Sequence, residues 1–240
     1  LPLSGCTFSR DTEIFLTDQE ISWLKEHEGQ IKIGYTTDYP PIEFLKDGDY
    51  VGISADYFRL LEEKLDFKIE MVRYDAWPEL LEDAKNKKVS GITAASKTEQ
   101  RLEYFNFTVP YIFNPNVIIT RKNFSEKLTF EKLNNSSMSI VAIEGFSVLD
   151  ELKLNYPELN YQTVSNAKEG LRKVSFGEAD AMIVQLISAS LSIDEDNITN
   201  LMVNTETIYD SNLSIATRND WPILNDIFNK GLAQITDSEI

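Results

Sequence analysis

At 240 residues, with 42% hydrophobic residues that include 13 Phe, 10 Tyr and 3 Trp, the chain can bury a sizeable core as one large domain or two lobes. Its 39 acidic against 23 basic residues give a formal charge of −16, a field that disfavours nucleic acid and anionic lipid headgroups as partners. One histidine, His27, and one cysteine, Cys6, exclude a histidine-based triad, a Cys–His dyad, a zinc set and an internal disulfide in the body of the chain.

Residues 1–16 read as a connecting arm. Within it Leu3-Ser4-Gly5-Cys6 has the form of a lipobox, so Cys6 is either a lipid anchor or part of the tail of a removed signal. No apolar run reaches the roughly 18 residues a membrane span needs. Thr17-Asp18-Gln19-Glu20 is a capping box, and Ile21 and Leu24 carry a short helix to about His27, closed by Gly29. Residues 31–35 alternate as a strand. Asp38 to Phe44 leaves that strand as a proline-rich loop, Asp47-Gly48-Asp49 is a turn, and a helix follows over 54–65. The pattern then repeats: strand 67–73, helix 78–86 with Asp75 as N-cap, strand 89–93, helix 96–102.

The stretch from Thr93 to Tyr111 is the most informative. Ser96 and Glu99 have capping-box spacing, which places Arg101 just inside a helix N-terminus, with hydroxyls at Thr93, Ser96 and Thr98 around it. A guanidinium beside unpaired helix N–H groups suits a carboxylate or other small anion.

Pro115 to Thr120 reads as a buried strand. A second α/β unit starts near 125: strand 138–143, a helix from Ser147 (capped by Ser147 with Asp150) to Tyr156, strand 159–164, helix 166–176, strand 180–184 and helix 186–193. Residues 207–217 are strand-like again. A last helix begins at Asp220-Trp221-Pro222 and carries Leu224, Ile227, Phe228, Leu232 and Ile235. Strands alternating with helices of about ten residues predict mostly parallel sheets. Two similar α/β units joined by crossing segments near 115–122 and 207–216 predict a cleft at strand C-terminal ends.

IKIGYTTDYPPIEF, GDYVGISADYFRLLEEKL, ITAASKTEQRLEYFNFTVPY, IVAIEGFSVLDEL and FGEADAMIV, in that order and spacing, resemble type II periplasmic solute-binding proteins of the polar amino-acid-binding family. The resemblance covers about 31–235. It implies an α/β, two-lobed Venus-flytrap fold with two crossover segments. The division it implies is an N-terminal arm and helix (1–29), a first lobe (30–118 plus 211–236) and a second lobe (122–208). It further implies that Arg101 clamps a carboxylate with help from Thr93 and Ser96. Tyr39, Trp77 and Phe146 would wall the cleft, and Ser147 would reach the same carboxylate from the second lobe. Members that bind α-amino acids place an aspartate shortly after the Ala-Asp-Ala strand. Counting from Asp180 puts Gln185 there, so the amine half is weakened; Glu43 or Asp210 are possible substitutes.

The flanks LTDQEISWLKEHEGQIKIGY and RNDWPILNDIFNKGLAQITDSEI resemble those of flytrap domains in membrane-bound sensors. The expectation is therefore a non-enzymatic, extracytoplasmic sensor domain without cofactor or metal. It would be membrane-anchored through its parent protein or a lipid, bind a small carboxylate or amino acid, and form a homodimer in a full-length histidine kinase or diguanylate cyclase. The alternatives are a solute receptor for an uptake transporter and, because cyclohexadienyl dehydratases share the fold, an enzyme. Nothing in the sequence marks a catalytic carboxylate for the latter.

Overall fold

The computed structural model describes residues 16–240, so the lipobox reading of Cys6 lies outside the described residues. Helix α1 (Asp18–Glu26) starts at the expected capping box: Glu20 N–H donates to Thr17 Oγ1 at 3.3 Å, and Thr17 N–H donates to Glu20 Oε2 at 2.7 Å. His27 is its C-cap and Gly29 follows at φ 73°. Replacing Thr17 with Ala is expected to cost about 1 kcal/mol, read as a lower denaturant midpoint, whereas Thr17→Ser should keep the cap. An equal loss in both variants would exclude capping as the cause.

Strand β1 (Lys32–Thr36) is followed by a hairpin-like sheet of β2 (Asp38–Tyr39), β3 (Glu43–Lys46) and β4 (Asp49–Val51), ordered β2-β3-β4. The prolines suggested only loop here. The Pro40–Pro41 peptide is cis, and Asp47 (φ 55°) with Gly48 (φ 94°) makes the tight two-residue connection between β3 and β4. Next come α2 (Ile53–Leu65), β5 (Glu70–Tyr74), α3 (Trp77–Lys85) and β6 (Gly91–Ser96). Ala76, not Asp75, is the N-cap of α3; Asp75 is instead held by Arg73 at 2.7 Å.

The expected helix at 96–102 does not form. Ser96 is the last residue of β6, paired with Leu213, and only a 3-10 turn (Arg101–Glu103) follows. Thr98 takes the capping role instead, accepting from Arg101 N–H at 3.3 Å. Then come β7 (Phe105–Phe107), β8 (Pro115–Arg121), α4 (Phe130–Asn134), β9 (Ile140–Ile143) and α5 (Ser147–Asn155). Phe146 rather than Ser147 is the N-cap of α5, with no side-chain cap bond. The chain continues through β10 (Tyr161–Val164), α6 (Ala167–Phe176), β11 (Ala181–Gln185) and α7 (Leu186–Glu195). It ends with β12 (Leu201–Asp210), β13 (Leu213–Arg218) and α8 (Pro222–Ala233). The strand-like run at 207–217 is thus two strands broken at Ser211-Asn212.

Two five-stranded sheets result, ordered β5-β1-β6-β13-β7 and β10-β9-β11-β8-β12. In the first, β1 is parallel to β5 and β6, and β13 is antiparallel to β6 and β7. In the second, β9 is parallel to β10 and β11, and β8 is antiparallel to β11 and β12. The chain therefore passes from the first sheet to the second between β7 and β8, and returns between β12 and β13.

Each sheet is covered on both faces. Ile33, Ile215, Leu61 and Phe228 pack on one side of the first sheet, and Leu80, Ile92 and Phe105 on the other. In the second sheet the period-2 alternation of strands sends Val117, Ile119, Met182 and Val184 to one core. Ile118 and Ile183, between them, go to the opposite core. Both parallel strand sets end toward the same space, where the cleft opens.

Candidate functional site

A cavity of about 460 Å³ lies at the strand C-terminal ends, lined from both sheets. Of the eight sequence-predicted residues, Tyr39, Trp77, Ser96, Arg101, Phe146, Ser147 and Gln185 line it, and Thr93 does not. Thr93 is fully buried three residues before the end of β6, so it lies below the cavity floor.

Arg101 lines this cavity. It is 6% exposed, donates from Nη1 to Ser96 O at 2.9 Å, and reaches across the cleft from Nη2 to Gly145 O at 3.3 Å. Its guanidinium lies 5.1 Å from the Trp77 ring centroid. Among the described residues no carboxylate forms an ion pair with it. Burial pulls its pKa down from the ordinary value, with the charge of Asp150 opposing. Two carbonyls leave most of its five donors unused.

The walls are aromatic. Tyr39, from β2, meets Phe146, from the turn before α5, edge-on with ring centroids 5.3 Å apart. The Tyr39 hydroxyl accepts from Asn114 Nδ2 at 3.5 Å, and burial pushes its phenol pKa up. Ser147 Oγ sits 3.3 Å from Ser211 Oγ, at the return crossing. Gln185 ends β11 and precedes α7, where its side chain caps nothing.

The structure adds residues the sequence reading missed. Asn166, the N-cap of α6, donates across the cleft to Asp38 Oδ2 at 3.4 Å. Ser188, Ser192 and Glu195 line the cavity from one face of α7. Their spacing from Gln185, three, seven and ten residues on, was the available signal. Neither suggested acid takes part: Glu43 and Asp210 do not line the cavity.

Glu43 instead braces the floor. It is almost fully buried and accepts from Thr36 N–H at 2.9 Å and Thr36 Oγ1 at 2.7 Å, with Tyr50 OH at 3.5 Å. Thr93 Oγ1 touches Glu43 Oε2 and also donates to Gly34 O at 3.3 Å. Thr93 has one hydroxyl proton for two acceptors; a proton on Glu43 satisfies both. Burial without a basic partner among the described ion pairs pushes the Glu43 pKa above its ordinary 4.5.

A carboxyl raised on folding contributes stability that is fully present below the unfolded value and lost as pH rises through the folded one. Glu43→Gln removes the titration and keeps a neutral side chain of the same shape, so the stability of the parent relative to this variant should fall as pH rises above the ordinary carboxyl range near 4.5. A difference that stays constant over that rise, measured by denaturant titration, excludes a raised carboxyl.

Comparison with known proteins gives one family and several relatives. Residues 31–240 match the sequence model of bacterial extracellular solute-binding proteins, family 3. The chain is similar to the virulence sensor protein BvgS of Bordetella pertussis (strain Tohama I), 24% identical over 224 residues, covering 92% of this chain and 18% of BvgS. It is also similar to the sensor protein EvgS of Escherichia coli (strain K12), 25% identical over 234 residues, covering 94% of this chain and 18% of EvgS. The chain thus spans less than a fifth of these relatives. Among solved structures, the periplasmic VFT2 domain of Bordetella pertussis BvgS superposes with a TM-score of 0.79 at 23% identity, covering 93% of this chain and 94% of that one.

Proposed function

The chain belongs to the bacterial extracellular solute-binding proteins, family 3, and from that premise we propose that it is an extracytoplasmic sensor domain that closes on a small carboxylate or amino-acid-like solute. The observation that carries this reading is Arg101. A guanidinium 6% exposed, with carbonyls but no acid as partners among the described residues, costs free energy unless an anion completes it. Ser96 ends β6 of the first sheet and Arg101 follows in the 3-10 turn, whereas Gln185 ends β11 of the second sheet and Phe146 and Ser147 begin the α5 helix packed on it. An anion gripped from both sides favours the closed arrangement, because only a solute with different affinity for the two states shifts them.

In this reading the first lobe comprises 30–118 plus 211–236, and the second 122–208. Residues 1–29 form an arm and helix. The domain is part of a membrane-anchored histidine kinase, in which it forms a homodimer. Likeness to BvgS and EvgS supports the sensor role.

The flanks support it physically. Trp23 stacks on His27 at 4.0 Å, both meet Trp221 edge-on at 5.3 and 4.9 Å, and Lys230 Nζ binds Glu20 Oε2 at 2.7 Å. Helix α1 is thereby fastened to α8, so the two helices move as one body.

A thermal-shift screen against amino acids and mono- and dicarboxylates tests the reading. A solute at 100 times its Kd adds about 2.7 kcal/mol, or roughly 5–11 °C at this size. Such a shift with a carboxylate, absent in Arg101→Ala, supports a carboxylate receptor. Shifts produced only by solutes without a carboxylate would sink it.

A further inference from the structure

Asn114 sits where the chain crosses from the first sheet to the second, immediately before β8, and is buried without lining the cavity. Pro115 follows it and biases its backbone toward the extended region. Its main chain is tied to the return crossing at both polar groups. Asn114 N–H donates to Asn212 Oδ1 at 3.3 Å, and Asn114 O accepts from Ser211 N–H at 3.0 Å. The side chain therefore starts from the joint that the two crossings share.

Both ends of that side chain are used, one toward each sheet. Helix α7 begins at Leu186, and its N-cap Gln185 makes no side-chain cap bond. Asn114 Oδ1 supplies one instead, accepting from Ile187 N–H at 3.2 Å. Ile187 is the second helical residue, whose amide an N-cap side chain ordinarily takes. The Ile187 side chain also packs against the core of the first sheet, so the start of α7 is where the second half of the molecule leans on the first. A backbone amide can only donate, which turns the carboxamide oxygen of Asn114 toward α7 and leaves its amino end for Tyr39. Asn114 Nδ2 donates to the Tyr39 hydroxyl at 3.5 Å. One buried side chain thus links a cleft wall on the first side to the helix that carries Ser188, Ser192 and Glu195 on the second.

Three contacts cross the cleft away from this joint: Arg101 Nη2 with Gly145 O, Asn166 Nδ2 with Asp38 Oδ2, and Tyr39 with Phe146. Each depends on where the second sheet stands relative to the first. Opening the cleft moves α7 relative to Tyr39, so one of the two side-chain bonds of Asn114 must break and leave a buried polar group unpaired. We propose that Asn114 is the positioning residue of closure, in that capping α7 from the crossing while holding Tyr39 sets the angle between the lobes at which a solute is gripped. This rests on the closure reading above.

Pulsed electron paramagnetic resonance tests it without any solute, using spin labels on Glu79→Cys in α3 and Gln162→Cys in β10, both exposed positions, in a Cys6→Ser background. Asn114→Ala is expected to lengthen and broaden the distance between the labels. Asn114→Asp keeps an acceptor for Ile187 N–H and accepts from the Tyr39 hydroxyl, so it should restore the parent distance. A merely structural loss would lower the denaturant midpoint and leave the distance in folded protein as it was. In calorimetry with succinate, glutamate and glutamine, each solute that binds the parent should bind Asn114→Ala more weakly by one common factor, about fivefold or about 1 kcal/mol, because the lost bonds join protein groups only. An unchanged distance in folded Asn114→Ala, no recovery in Asn114→Asp, or losses that differ between solutes overturns the proposal and leaves the carboxylate reading standing. Should Asn114→Ala not fold, Tyr39→Phe removes the hydroxyl partner alone; it should lengthen the distance, and no change there overturns the proposal equally. The solute-free distances do not depend on which solute binds, so failure of the carboxylate reading shows separately, as a screen in which no carboxylate binds.

Discussion

Replacing Arg101 with alanine is expected to abolish carboxylate binding while leaving the fold in place. The side chain is 6% exposed and its pKa is pulled down by burial, so it already bears the loss of its water. A solute carboxylate offers the one partner that restores this loss, and removing one member of a buried charge pair costs about 2–5 kcal/mol. That corresponds to roughly 30- to 5,000-fold in Kd. Stability should move much less. The variant gives up two bonds to carbonyls, at 2.9 and 3.3 Å, and at the same time relieves the solute-free chain of a buried charge.

Arg101→Lys should recover only part of the affinity. An ammonium keeps the charge but not the planar fork that meets both carboxylate oxygens. Calorimetry with the best carboxylate from the screen checks this order. Equal affinity in parent and alanine variant would place the anion elsewhere, and full recovery by lysine would mean that charge alone is recognised.

The alternation of strands and ten-residue helices was written in the local sequence, because each helix buries one stripe and each strand two faces. The two-sheet architecture therefore followed from periodicity, but the expected mostly parallel pairing did not: in each five-stranded sheet two of the four strand pairings are antiparallel. What failed were features set by distant pairing. Ser96 and Glu99 have the spacing of a helix cap, yet β13 pairs with β6 through Leu213 and Ser96, and the strand runs on. No local signal in 93–102 carries that partner. Arg101 was singled out on local geometry that does not form: it is positioned by a strand end, the Thr98 hydroxyl and a 3-10 turn rather than by a helix N-terminus.

Thr93 erred in the same way. The family pattern named it, but in this chain its hydroxyl is taken by Glu43 and Gly34. Ser188 was legible in principle, one helical turn beyond Gln185, once the start of α7 was fixed. The sheet β2-β3-β4 was hidden because Pro40 and Pro41 argue against strands, yet both fall in the connection between β2 and β3 and take no place in the ladder.

Gly52→Ala is expected to be among the most destabilising single-methyl additions in the chain, because it strikes the joint between that small sheet and α2. Gly52 has φ 119° and ψ 178°, a region reserved in practice for glycine, and a side chain held there costs about 1–3 kcal/mol. The added Cβ would also stand 2.6 Å from Ile42 O and 2.8 Å from Pro41 O, which are backbone atoms without a rotamer to yield. Those same carbonyls accept from the first amides of α2, Ile53 N–H at 3.1 Å and Ser54 N–H at 2.9 Å, so retreat from the methyl group breaks the helix start. Overpacking of this kind adds about 1–3 kcal/mol.

Gly48→Ala separates the two causes. Gly48 has φ 94°, but its Cβ would meet nothing within 4 Å, so only the conformational cost applies. The denaturant midpoint should fall further for Gly52→Ala than for Gly48→Ala. Equal losses would mean that the close approach to Pro41 and Ile42 is not what holds this joint. The consequence reaches the cleft, because the displaced segment carries Tyr39 on one side and Glu43 on the other. Folded Gly52→Ala protein should therefore bind its carboxylate more weakly than Gly48→Ala protein, even where both are compared far below their unfolding transitions.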